Sequence, residues 1–250
     1  MNDFLHQLKR EAKILASKHV PSFYDACREE VRFANELFFD HPLIFRCRED
    51  VLPFLNDSFG HGTEHAKKVA IEACAIVLVE FRTVKPGEAR HLGILAQVCG
   101  LLHDICRLEG NHALKGSELS RTILQDYPFS DTEMDMICHA IRNHEAFQLP
   151  ETTLHTETQL LTGALYDADK FRWGPDNFTT TLWEICDYQE WPVQEIVKRF
   201  PEGLQKMHDI LPSFRTGTGQ AFGPEFIQIG LKLGKTLYAR LQEMEGRRGS

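Results

Sequence analysis

Residues 94–106 read ILAQVCGLLHDIC, and their reading decides the fold. Ile94, Leu95, Val98, Leu101, Leu102 and Ile105 recur at spacings of three and four, the period of one buried helical face. His103 and Asp104 follow at the end of that stripe. A carboxylate there is expensive to bury without a cation or a strong hydrogen-bond partner. Gly100, one turn earlier, leaves room for something to approach closely.

The rest of the chain repeats the helical signal. Ala66, Val69, Ala70, Ala73, Ile76 and Val77 share a face after breaks at Gly60 and Gly62, and Pro86 with Gly87 punctuates a turn. A further helix is predicted from about Ala113 to Leu124. Ser130 with Glu133 has capping-box spacing and opens another through Ile141. Pro150 marks a stop, and 159–171 is again apolar at helical spacing. Upstream, a first helix ends near His19 and a second starts at Pro21 and continues toward Phe39. Downstream, Pro192 and Pro201 are breaks, 211–224 with Gly217, Gly219 and Gly223 reads as a mobile loop able to serve as a lid, and a last amphipathic helix covers 225–244. No alternating strand pattern, repeat or low-complexity linker is present, so the expectation is one all-α domain over 1–250.

Composition sets the outer bounds. Hydrophobic residues at 42% support a sizeable core, and a net charge of -8 gives no general attraction for phosphate backbones. Nucleic acid is therefore not expected as a main partner. The apolar stretches are too short to span a bilayer, the first residues lack a signal-peptide run, and seven scattered cysteines without Cys-x-x-Cys spacing read as buried hydrophobes. No membrane partner and a cytoplasmic location follow as expectations, and a second copy of the chain is admissible as a partner.

Chemistry is suggested by where the twelve histidines fall. His61 and His65 lie four apart at a helix start. His112 follows a short turn, His139 and His144 flank Ala140-Ile-Arg-Asn143, and Asp167 and Asp169 lie two apart inside Leu165–Phe171. Several helices thus each bring an imidazole or carboxylate near a helix end, as helical bundles do when they build metal sites. Such ligands without thiolate suit Fe, Mn, Ni, Co, Zn or Mg.

These fragments together resemble the HD superfamily of metal-dependent phosphohydrolases, whose signature is His…His-Asp…Asp. His65-Ala-Lys-Lys-Val69 matches its first helix, Leu101-Leu-His-Asp-Ile105 its doublet, and Asp167-Ala-Asp-Lys-Phe171 its last aspartate. His112-Ala-Leu-Lys-Gly-Ser-Glu118 and Ala140-Ile-Arg-Asn-His144 resemble the stretches that hold a second metal in binuclear members. Cys106 stands where glycine is usual, and the gap from Asp104 to His112 is short beside binuclear members.

The resemblance implies an HD helical bundle over about 56–175 with helical extensions at 1–55 and 176–250. It implies one divalent ion, with room for two, on His65, His103, Asp104 and Asp169. In the family the metal-bound aspartate is the second of this pair, which implies Asp169 and not Asp167, and two residues apart on a helix they face nearly opposite ways, so only one can line the site.

The implied reaction is hydrolysis of a phosphomonoester or phosphodiester, with a small nucleotide-like molecule as substrate. Asp104 would orient water, and Lys170 and Arg142 would neutralise charge on the phosphate. His112, His144 or His139 would hold a second metal or act as acid or base, with His61 supporting the ligands or touching substrate. Two other readings use the same residues: a di-iron oxygenase of the HD type, and a regulatory or binding protein without turnover.

Overall fold

The computed structural model describes residues 3–55, 62–81, 86–149, 151–153 and 155–248, and among them there are helices and no strand. In chain order the helices are α1 (Asp3–Ala16), α2 (Phe23–Ala26), α3 (Arg28–Asp40), α4 (Pro42–Val51), α5 (Thr63–Phe81) and α6 (Pro86–Leu102). They continue with α7 (His112–Ile123), α8 (Asp131–Arg142), α9 (Thr156–Phe171), α10 (Leu182–Tyr188), α11 (Val193–Ile210) and α12 (Gly217–Arg248). A π turn over Asn177–Thr181 leads into α10.

The apolar stripes pack as their spacing predicts. α5 lies along α6 and also against α9 and α3, while α8 packs on α7 and α9. α5 is buried almost all round, from Val69 through Leu78, which makes it the central helix. Gly100 explains its own presence: a Cβ there would lie 2.4 Å from the Ala70 Cα, so α6 can cross α5 this closely only without a side chain. The capping box at α8 forms, with Ser130 Oγ accepting from Glu133 N at 3.3 Å and Ser130 N donating to Glu133 Oε2 at 2.7 Å. Such a cap stabilises by about 1 kcal/mol. All seven cysteines are free and buried.

Several expected boundaries move. α1 stops at Ala16, and the helix expected from Pro21 to Phe39 is divided at Cys27 into α2 and α3. Pro86 opens α6 instead of sitting in a turn. Pro201 lies inside α11 and does not end it. The expected stop at Pro150 falls outside the described residues.

The largest correction concerns 211–224. α12 already begins at Gly217 and runs through Gly219, Gly223 and Pro224, so those glycines form no loop and no lid. Tertiary partners override the local signal. Asp167 accepts from the Thr216 and Arg215 backbone N–H groups at 2.8 Å each, and Glu80 accepts from Thr218 N at 2.6 Å. These carboxylates satisfy the donors at the start of α12 and favour its positive dipole end.

Candidate metal centre

Each ligand candidate sits at or near a helix end, where α5, α6 and α9 meet. His65 is in the first turn of α5, His103 and Asp104 lie in the turn just past α6, and Asp169 is near the end of α9. All four are buried. His65 Nε2 is 3.1 Å from His103 Nε2 and 3.3 Å from Asp169 Oδ1. Asp104 Oδ2 lies 3.3 Å from His103 Nε2 and 3.6 Å from His65 Nε2. The other oxygen of Asp104, Oδ1, faces a second pair: His144 Nε2 at 3.5 Å and His112 Nε2 at 3.6 Å, themselves 3.3 Å apart. One carboxylate thus joins two groups of imidazoles.

Hydrogen bonds behind the rings define what they present. His103 Nδ1 is 2.8 Å from the Gly100 carbonyl and His144 Nδ1 is 2.6 Å from the Ile141 carbonyl. His112 Nδ1 is 2.8 Å from Glu145 Oε1. Carbonyl and carboxylate oxygens only accept, so each Nδ1 carries the proton and, in the neutral ring, each Nε2 turns a lone pair into the centre. Lone pairs of His103 and His144 therefore converge with the carboxylates of Asp104 and Asp169 in a buried pocket.

That arrangement attracts positive charge. Burial would push His103 down, yet Asp104 and Asp169 outweigh it and hold its pKa above the ordinary value. Burial would likewise raise Asp169, but Lys170, His65 and His103 keep it well below the usual carboxylate range. Burial pushes His112 down to about 4, so its ring is neutral near pH 7. The donor set fits a divalent ion: His65, His103 and Asp169 offer ligand atoms within 4.8 Å of one another, and so do His103, Asp104 and His144. Nitrogen and oxygen donors without thiolate match the metals expected from the sequence.

The centre forms the floor of a cleft of about 480 Å³. Arg107 and Lys206 are on its walls, and Phe147 and Trp173 meet edge to face there, 6.1 Å between ring centroids. A larger cavity of about 800 Å³ lies elsewhere, lined by His91, Glu133, His139 and His155. Among the described residues it shows no convergent donor set, so the smaller cleft is the candidate site.

Two expected site residues lie away from the centre, and a third is paired within it. Arg142 is exposed on the outer side of α8, 3.7 Å from Glu151, and does not line the cleft. His139 faces the larger cavity and is not among the converging ligands. The spacing within 139–144 accounts for both, since only His144, past the end of α8, turns back toward Asp104. Lys170 is buried, and its ammonium is held by Asp169 and by the His144 carbonyl at 3.0 Å. Its charge is thus already paired beside Asp169, within the lining of the cleft. His61 lies outside the described residues.

Asp167 and Asp169 divide as the helical period requires, one toward α12 and the other into the centre. Sequence reasoning missed the basic wall. Nothing local in the sequence marks Arg107, or Lys206 on α11, as a neighbour of the centre. Arg172 also went unmarked. It is buried and joins Glu72 at 2.5 Å, Asp176 and the Tyr24 hydroxyl at 3.5 Å.

A helical bundle whose helix ends converge histidines and aspartates on one buried point has the kind of donor set with which all-α proteins can hold a metal. Residues 86–173 match the family model of the HD domain, which supports membership of the HD superfamily. The match includes His103, Asp104, His112, His144 and Asp169, while His65 is brought in by the preceding helix. No curated protein and no solved structure matches the chain. Among the described residues no helix is long and apolar enough to cross a membrane.

Proposed function

We propose that this protein is a metal-dependent phosphohydrolase acting on a small phosphate ester. The observation that carries the reading is the set of lone pairs and carboxylates gathered beneath a basic cleft wall. A divalent ion on His65, His103, Asp104 and Asp169 would supply Lewis-acid charge that makes water acidic enough to attack phosphorus near neutral pH.

The chain's own groups would do the rest. Lys170 holds Asp169 in its orientation, and the Gly100 carbonyl does the same for His103. Asp104 presents one oxygen to each imidazole group and can orient the attacking water between them. His144, its Nδ1 held by the Ile141 carbonyl, can accept that water's proton at Nε2 and return it to the leaving alkoxide. Arg107 and Lys206 draw an anionic group toward the floor despite the acidic net charge. Phe147 and Trp173 offer ring faces and edges against which a nucleobase can pack, which supports a nucleotide-like substrate. A basic wall favours this reading over the oxygenase.

The test is elemental analysis of protein purified without chelator, followed by a panel of phosphomonoesters and phosphodiesters assayed with the metal found. Release of phosphate or alcohol by the wild type, absent in Asp169→Asn, is the expected result. A folded, metal-loaded protein inert toward every ester would overturn it.

A further inference from the structure

The second imidazole group carries a cation of the chain's own at its edge. His112 Nε2, His144 Nε2 and Asp104 Oδ1 are three acceptors within 3.3–3.6 Å of one another. Acceptors that close need a proton or a cation between them. The chain already provides one: Arg107 Nη1 donates to His112 Nε2 at 3.0 Å and lies 4.0 Å from Asp104 Oδ1. We propose that the Arg107 guanidinium fills the second cation position, so that the folded chain takes up one divalent ion and not two. This rests on the reading of the first group as a metal site.

Local structure explains how Arg107 reaches that point. It lies three residues past Asp104 in the turn after α6, where its N–H bonds to the Asp104 carbonyl at 3.0 Å. Only five residues separate it from His112, and Asn111, at φ 57, turns the chain sharply into α7. The short gap therefore brings a permanent cation and its acceptor ring to the same carboxylate oxygen. Guanidinium keeps its charge throughout the physiological range, unlike a histidine or a buried lysine. A divalent ion among the same three atoms would stand against that charge at contact distance, and one of the two must leave. Arg107 is partly exposed, so the contest between arginine and ion can be measured by removing the arginine.

The experiment is a Mn²⁺ titration of chelator-stripped full-length protein, with bound metal counted per chain and electron spin resonance recorded. The wild type is expected to bind one Mn²⁺ with an uncoupled signal. Arg107→Ala is expected to bind two, with a spin-coupled signal, and Arg107→Lys to return to one. His144→Ala should keep the single ion and His65→Ala should lose it. Two ions in the wild type, or one in a folded Arg107→Ala, overturn the proposal while leaving the metal centre intact. No tight Mn²⁺ in a folded wild type overturns the metal reading itself. Should Arg107→Ala not fold, the wild-type count together with His144→Ala still decides.

Discussion

Two buried polar groups lie next to each other in this fold and are built on opposite principles. In one, Arg172 stands between Glu72 and Asp176, Tyr24 donates to Glu72, and Lys68 reaches Asp176 at 2.9 Å. Cations and anions alternate. In the other, His65, His103, Asp104 and Asp169 bring lone pairs and negative charge together, with Lys170 as the buried cation at one edge. The first set closes on itself and ties the N-terminal helices to α5 and α9. The second is what a bound cation would complement. Burial is common to both, so burial alone does not reveal function. The sign of the neighbours does.

Breaking the centre should cost activity more than it costs the fold. Asp104→Ala is expected to lower phosphate-ester hydrolysis by roughly 10³-fold or more, together with bound metal. In metal-free protein the same change should leave the urea midpoint nearly unmoved or raise it, because it relieves crowding of acceptors. A large loss of metal-free stability would mean that the cluster is structural.

Arg172→Ala should show the reverse. Removing the central cation strands Glu72 and Asp176 in the interior, with an expected loss of about 3–5 kcal/mol of stability. Urea denaturation in the presence of chelator is the appropriate measurement, since the loss should not depend on metal.

This contrast also explains what the sequence made legible. The centre depends on short-range order: a histidine in the first turn of α5, a doublet just after the apolar α6, and two aspartates on opposite faces of α9. Each can be read from a window of a few residues. The ion network joins Tyr24, Glu72, Arg172 and Asp176, and no local pattern predicts that these will meet. The start of α12 was misread for the same reason. Its glycines signal a loop until Asp167 and Glu80 are seen holding its first turn, with a Cβ at Gly219 only 2.0 Å from Asp167 Oδ2. His139 and Arg142 failed differently: the motif was right, but only the residue past the helix end turns inward.

A ligand that binds the folded form alone stabilises it by mass action. Divalent ion at about 100 times its dissociation constant should therefore add roughly 2.7 kcal/mol to the wild type. Arg172→Ala should gain as much from a lower baseline, whereas His65→Ala should gain nothing. Thermal melts with and without the ion separate the two centres within one experiment. Equal gains in all three proteins would show that the ion acts elsewhere.

The smallest effect concerns acid. Burial would raise the Asp176 carboxyl, but Arg172 and Lys68 outweigh it and hold its pKa below the ordinary 3.8. A carboxylate depressed in the folded state contributes stability that is fully present above its unfolded value and is lost as pH falls through the folded one. Asp176→Asn should therefore be less stable than the wild type at pH 6 by roughly 1.5–3 kcal/mol, the range for a hydrogen bond to a charged group. That gap should close only below about pH 4. Measured in chelator, the closing gap belongs to the ion network and not to metal loss. A gap that instead closed between pH 7 and 5 would point to histidine protonation in the centre, and the separation between the two buried groups would fail.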